Sequence, residues 1–99
     1  MVLAVLGLNH KTVSVDIREK FSISEESARD GLLHLSEQEG IKEAVVLSTC
    51  NRTEIYAVLK DEEDKEKLYH FFLTLSGNSK AEKEYFFFYT GTECIRHLF

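Results

Sequence analysis

The order in which strand-like and helix-like segments alternate along this chain limits its fold more than any single motif does. Residues 2 to 8, Val-Leu-Ala-Val-Leu-Gly-Leu, read as a buried strand ending in the polar loop Asn9-His10-Lys11-Thr12. A helix is predicted from Ser14 to Lys20, with Asp16 and Glu19 early and Lys20 late, as the macrodipole favours. Ser24 ahead of Glu25-Glu26 is an N-cap with an acidic first turn; Ala28, Leu32 and Leu35 give that second helix one apolar stripe, and Gly40 marks its exit. Ala44 to Ser48 reads as a central strand, and Thr53 to Leu59 as the next, with Ile55, Ala57 and Leu59 on one face. Asp61-Glu62-Glu63-Asp64 opens a helix in which Leu68, Phe71, Phe72 and Leu75 form an amphipathic stripe, stopped by Gly77-Asn78. Tyr85 to Tyr89 is a last strand, and Thr90 or Thr92 caps a helix carrying Cys94, His97, Leu98 and Phe99. Strand, helices, strand, strand, helix, strand predicts an α+β, ferredoxin-like (split βαβ) fold, a four-stranded antiparallel sheet with helices packed on one face. With no proline, repeat or internal linker, residues 1–99 are expected to form a single domain.

Between the two middle strands lies the run Ser48-Thr49-Cys50-Asn51-Arg52-Thr53, a polar collar that holds a thiol and a guanidinium. A strand end is a rigid mount from which a thiol meets a substrate with little loss of entropy, and the planar fork of Arg52 suits a carboxylate or phosphate. Free cysteine is also among the most buried residue types, so Cys50 after Val-Val-Leu reads first as a core residue. A thiol in the core has no use for so continuous a polar surround, and this brings a reactive or ligand-facing Cys50 level with the core reading.

Composition narrows the classes. Hydrophobic residues at 43% and aromatic residues at 11% are too many for a disordered chain. No stretch approaches the roughly 18 apolar residues that span a bilayer, and the start lacks the basic region of a secretion signal, so a soluble cytoplasmic protein without membrane contact is expected. The two cysteines, Cys50 and Cys94, make no disulfide framework and are read as reduced, although a bridge between them in a redox-regulated adaptor is an alternative. His10, His34, His70 and His97 show no zinc spacing, so no metal is expected. The net charge of −5 leaves no broad footprint for nucleic acid, and phosphate contacts would fall to a local cluster such as Lys11, Arg18, Lys20 and Arg52. The apolar end at Leu98-Phe99 without a helix C-cap suggests a fragment of a longer protein.

Two segments together carry a family likeness. Gly7-Leu8-Asn9-His10-Lys11-Thr12, continuing to Asp16-Ile17-Arg18-Glu19-Lys20, and Leu47-Ser48-Thr49-Cys50-Asn51-Arg52-Thr53-Glu54-Ile55-Tyr56 resemble the N-terminal catalytic domain of glutamyl-tRNA reductases, and the resemblance covers essentially the whole chain. It implies that the Cys50 thiolate attacks the aminoacyl ester of glutamyl-tRNA to give a thioester, which NADPH reduces to glutamate-1-semialdehyde on the route to 5-aminolevulinate and tetrapyrroles. A thioester is the easier acyl group to reduce, because sulfur lends its carbonyl less resonance than oxygen does. By motif position Arg52 resembles the group that holds the glutamyl side-chain carboxylate, and Thr49 and Asn51 flank the nucleophile as further substrate-binding residues. His97, in Ile95-Arg96-His97-Leu98, matches a histidine that assists proton transfer; taken alone it reads as a packing or surface residue.

The resemblance also implies parts that this chain lacks. No Gly-x-Gly-x-x-Gly follows a strand, so NADPH would be bound by another domain, and homodimerisation would use a C-terminal region outside these residues. A contact with the next enzyme of the pathway is left open. The isolated fragment is expected to be unable to reduce its substrate. A non-catalytic ferredoxin-like module, with Arg52 gripping an anion or a protein partner and Cys50 structural, is the competing reading. Cys94, three residues before His97, is expected to pack inward, Phe86-Phe87-Phe88 to be a buried strand, and His34 and His70 to face solvent.

Overall fold

The computed structural model describes every residue except His10, Thr12 and Cys50, and of Asn9 the backbone alone. Four strands, β1 (Val2–Asn9), β2 (Ile41–Ser48), β3 (Arg52–Leu59) and β4 (Phe87–Thr90), form one sheet in the order β2-β3-β1-β4, with every neighbouring pair antiparallel. Helices α1 (Val15–Lys20) and α2 (Glu25–Leu33) connect β1 to β2, α3 (Lys65–Ser76) connects β3 to β4, and α4 (Gly91–Leu98) follows β4. This is the expected ferredoxin-like arrangement. Its two crossovers interleave, so β1 and β3 take the centre.

The principal core lies under α1 to α3. Ala4, Leu6 and Leu8 from β1, and Ile55, Ala57 and Leu59 from β3, point to this face at the strand period and meet Leu68, Phe71, Phe72 and Leu75 of α3. Phe86 sets its ring edge-on to Phe21, Tyr69 and Phe72, with centroids 5.7, 5.4 and 5.1 Å away. The chain leaves α3 at Gly77, whose φ of +76° suits a residue without Cβ, and Asn78 N–H donates back to Leu73 O at 2.9 Å.

Three local expectations change. β2, read as central, is an edge strand, because the split βαβ order places β3 between it and β1; Val46 faces the core while Val45 is exposed. Helix α2 does not bury its Leu32 stripe. It lies against α3 through Gly31, where a Cβ would come within 2.2 Å of Leu75, so Ala28, Gly31 and Leu35 form the contact side and Leu32 turns outward. The last strand begins at Phe87, two residues later than read, after a 3₁₀ turn at Lys83–Tyr85.

The expectation of helices on one face describes α1 to α3. Helix α4 instead crosses to the other face of the sheet, where Cys94 packs against Val5 and Phe87 with Tyr56 alongside. Val5, on the opposite side of β1 from Ala4 and Leu6, faces this second layer. No helix among the described residues is long and apolar enough to cross a membrane.

Candidate functional site

The strand register brings the two motif-bearing segments together. Gly7, Leu8 and Asn9 of β1 pair with Glu54, Thr53 and Arg52 of β3, so the end of the first motif runs beside the polar collar. The β2–β3 hairpin is tied at its neck, with Thr49 N–H donating to Arg52 O at 2.8 Å. Thr49 Oγ1 accepts from the backbone N–H groups of Asn51 and Arg52, both at 3.2 Å, which makes its hydroxyl part of the turn itself. Ser48 Oγ accepts from Ile23 N–H at 3.2 Å and lies 3.4 Å from Thr53 Oγ1, anchoring the hairpin to the loop between α1 and α2. Asn51 is exposed at the turn. Cys50, the predicted nucleophile, lies outside the described residues, as does His10.

Beneath this hairpin, on the α4 face, β3 carries a carboxylate that has no contact with solvent. Glu54 is 0% exposed. A buried carboxylate is costly unless it is paired and hydrogen-bonded. Glu54 Oε2 lies 2.5 Å from His97 Nε2, Tyr56 Oη donates to Oε1 at 3.2 Å, and Arg52 Nη1 stands 3.8 Å from Oε1. Gly7 makes room for it. A Cβ at Gly7 would come within 2.8 Å of Glu54 Cγ and of Thr53 O, and within 3.0 Å of the Phe87 ring.

His97 arrives from the end of α4 and packs against two aromatic rings. Its centroid is 4.6 Å from that of Phe87 and 5.4 Å from that of Tyr89, and those two rings stack on each other. Burial, reinforced by the Glu54 charge and by the hydrogen bond to it, pushes the Tyr56 hydroxyl up to about 12. Burial, with Glu54 adding to it, also raises the Cys94 thiol, which is free and closed off from solvent beneath the cluster, as its helix position predicted. Cys94 therefore stays protonated and unreactive at neutral pH.

Of the residues singled out in the sequence, the structure brings Thr49, Asn51, Arg52 and His97 to one corner of the sheet. Arg52 is about half exposed, its side chain at 45%, so its fork remains available to a ligand while one nitrogen leans toward Glu54. Arg18 Nη1 donates to Val13 O at 2.9 Å. The residue that sequence reasoning missed is Glu54. Its signal was present: an acidic residue at a strand position flanked by the inward-facing Thr53 and Ile55 must lie on the other face, and that face is dry only if a further layer covers it. A cavity of about 440 Å³ between Ile17, Lys20, Phe21 and Tyr85 contains none of these groups.

The fold agrees with what comparison of this chain to known proteins finds. Residues 6–99 match the family model described as glutamyl-tRNAGlu reductase, N-terminal domain. The chain belongs to that family. It is 41% identical over 100 residues to a glutamyl-tRNA reductase of Desulforudis audaxviator and 43% identical over 100 residues to that of Synechocystis sp., matches that span 100% and 99% of this chain. They span 22% and 23% of those relatives, so the chain corresponds to less than a quarter of their length. The solved structure of glutamyl-tRNA reductase from Methanopyrus kandleri superposes with a TM-score of 0.66 at 29% identity, covering 97% of this chain and 21% of that one. The fold and the family therefore rest on the whole described domain, beyond the hairpin motif.

Proposed function

We propose that this domain performs the acyl-transfer half of a glutamyl-tRNA reductase reaction, with Cys50 as the nucleophile. The Cys50 thiolate attacks the carbonyl carbon of the glutamyl ester, a C–S bond forms as the C–O bond to the tRNA breaks, and the departing ribose oxygen takes a proton. Arg52 holds the side-chain carboxylate of the incoming glutamate, and its bidentate fork explains rejection of glutamine, whose amide would leave the guanidinium unpaired. Thr49 shapes the turn beside the nucleophile, and the exposed Asn51 contacts the aminoacyl group in this reading. His97 is the group on hand to move the proton. The observation that carries this reading is the convergence of the half-exposed Arg52, the buried Glu54 bonded to a partly exposed His97, and both motif-bearing segments at one corner of the sheet, in a member of this family.

This chain offers no fit to a dinucleotide. All its described strand pairs are antiparallel, and it has no glycine-rich turn leading from a strand into a helix, so NADPH belongs to another part of a longer cytoplasmic protein, which the same reading makes a homodimer.

The test is made in the full-length protein with glutamyl-tRNA and NADPH. Cys50→Ser is expected to abolish semialdehyde formation while leaving the fold intact by circular dichroism. Arg52→Lys is expected to lower kcat/KM for glutamyl-tRNA far more than it lowers stability, because a point charge cannot reproduce a bidentate grip. Semialdehyde production by Cys50→Ser at a substantial rate sinks the nucleophile assignment. An unchanged kcat/KM in Arg52→Lys sinks the carboxylate role. A structural Cys50 in a binding module would be revealed by a thiol that alkylates no faster than one in an unfolded chain.

A further inference from the structure

We propose that Glu54 is a positioning residue that fixes His97 in its Nε2–H tautomer, so that Nδ1 is the nitrogen that takes up and returns the proton during acyl transfer. The second half of this statement rests on the thioester reading above; the first half stands on the geometry alone.

Glu54 has the surroundings of an ionised carboxylate. Tyr56 Oη donates to one of its oxygens, the Arg52 cation stands near the same oxygen, and the side chain is closed off from bulk solvent. An ionised carboxylate only accepts hydrogen bonds, so at 2.5 Å the proton between Glu54 Oε2 and His97 belongs to Nε2. In the neutral ring the lone pair is then on Nδ1. The alternative tautomer would set two lone pairs against each other at a buried carboxylate, and turning the ring over would carry Nε2 away from Oε2. Phe87 and Tyr89, packed at tilts of 49° and 47°, hold the ring plane against that turn. Gly7 leaves the room that the Glu54 side chain occupies on the β1 side. The titratable and charged groups facing the pair are Arg52 and Tyr56 on β3, Tyr89 on β4 and Cys94 on α4. The group bonded to the ring nitrogen is Glu54.

The arrangement has the logic of an orienting carboxylate behind a catalytic imidazole. The buried acid does not exchange the proton; it selects which nitrogen does and stabilises the ring when it is charged. Arg52 is a second possible dependant of Glu54, and kinetics separates the two, since loss of substrate grip falls on KM and loss of proton transfer falls on kcat.

The experiment is a nitrogen-15 histidine side-chain spectrum of the full-length protein, recorded where the rings are neutral and assigned with His97→Asn. The expected result is a proton-bearing Nε2 and a pyridine-like Nδ1 for His97. A spectrum with the proton on Nδ1, or an even mixture, overturns the proposal without any variant having to fold. The isosteric Glu54→Gln is expected to shift His97 toward mixed tautomers and to lower kcat for acyl transfer by about 100-fold, with the smaller part of the effect in KM. A loss confined to KM overturns it in favour of Arg52. If the unaltered protein forms no adduct on Cys50 at all, the thioester reading fails, and the tautomer is still decided by the spectrum.

Discussion

The two faces of this sheet use the same strands differently. Toward α1, α2 and α3, β1 and β3 present Leu6, Leu8, Ile55 and Leu59, which interlock with Phe72 and Leu68 in a core of hydrocarbon and aromatic side chains. Toward α4 the same strands present Gly7, Glu54 and Tyr56, and the layer that covers them supplies His97 and Cys94. The first face gains stability from area removed from water. The second buries a carboxylate, which stabilises little in net terms but fixes a geometry. A thin domain thus keeps its folding energy on one side and its candidate chemistry on the other, one peptide unit apart. Substitutions should therefore separate into those that change stability and those that change reactivity.

Phe72→Ala should produce the largest loss of stability, about 3–5 kcal/mol, because its ring is completely buried where three elements meet. Denaturant titration measures it. Acyl transfer per folded molecule should be unchanged, and a proportionate loss of activity would erase the distinction between the faces. Gly7→Ala should cost about 1–3 kcal/mol, since the new methyl meets backbone as well as Glu54. Its loss of acyl transfer should exceed what the unfolded fraction explains.

Tyr56→Phe removes one donor to Glu54 and should cost about 1 kcal/mol. It also carries a pH signature. The hydroxyl is raised from 10.0 to about 12 in the folded state, so its contribution is fully present below the unfolded value and is lost as pH rises through the folded one. The phenylalanine variant should lose less stability than the parent between pH 10 and about 12; a parallel decline in both proteins would contradict this. The smallest effect is expected on the hydrocarbon side. There the Asp64 carboxyl accepts from Lys67 Nζ at 3.1 Å, is held below its ordinary value chiefly by that bond, and also accepts from Asp61 N–H at 3.0 Å. That stabilisation is present above the unfolded carboxylate value and fades as pH falls through the lower folded one. Asp64→Asn should flatten the acid limb of a stability curve and leave acyl transfer alone.

Much of this was legible from residue order. The apolar period of α3, the caps and glycines, and the alternation in β3 act within a few residues, so strand and helix identities and the interleaved sheet followed from local pattern. The inward packing of Cys94 followed from its spacing to His97. What escaped was set by partners distant along the chain. Nothing near Val45 says that β2 ends at an edge, and nothing near Gly31 says that Leu75 will press against it. Glu54 stood in plain view within the hairpin motif, yet its role appears only when the register sets it opposite Gly7 and α4 returns His97 to it across 43 residues. Its neighbour in that motif, Cys50, lies outside the described residues, so the nucleophile rests on sequence and family.

The most direct test of the account is intact-protein mass spectrometry of the full-length protein mixed with glutamyl-tRNA in the absence of NADPH. The account predicts a mass increase of one glutamyl group, mapped to Cys50, released by hydroxylamine and missing from Cys50→Ser. An unmodified Cys50 under conditions in which the same preparation goes on to make semialdehyde once NADPH is added would contradict it.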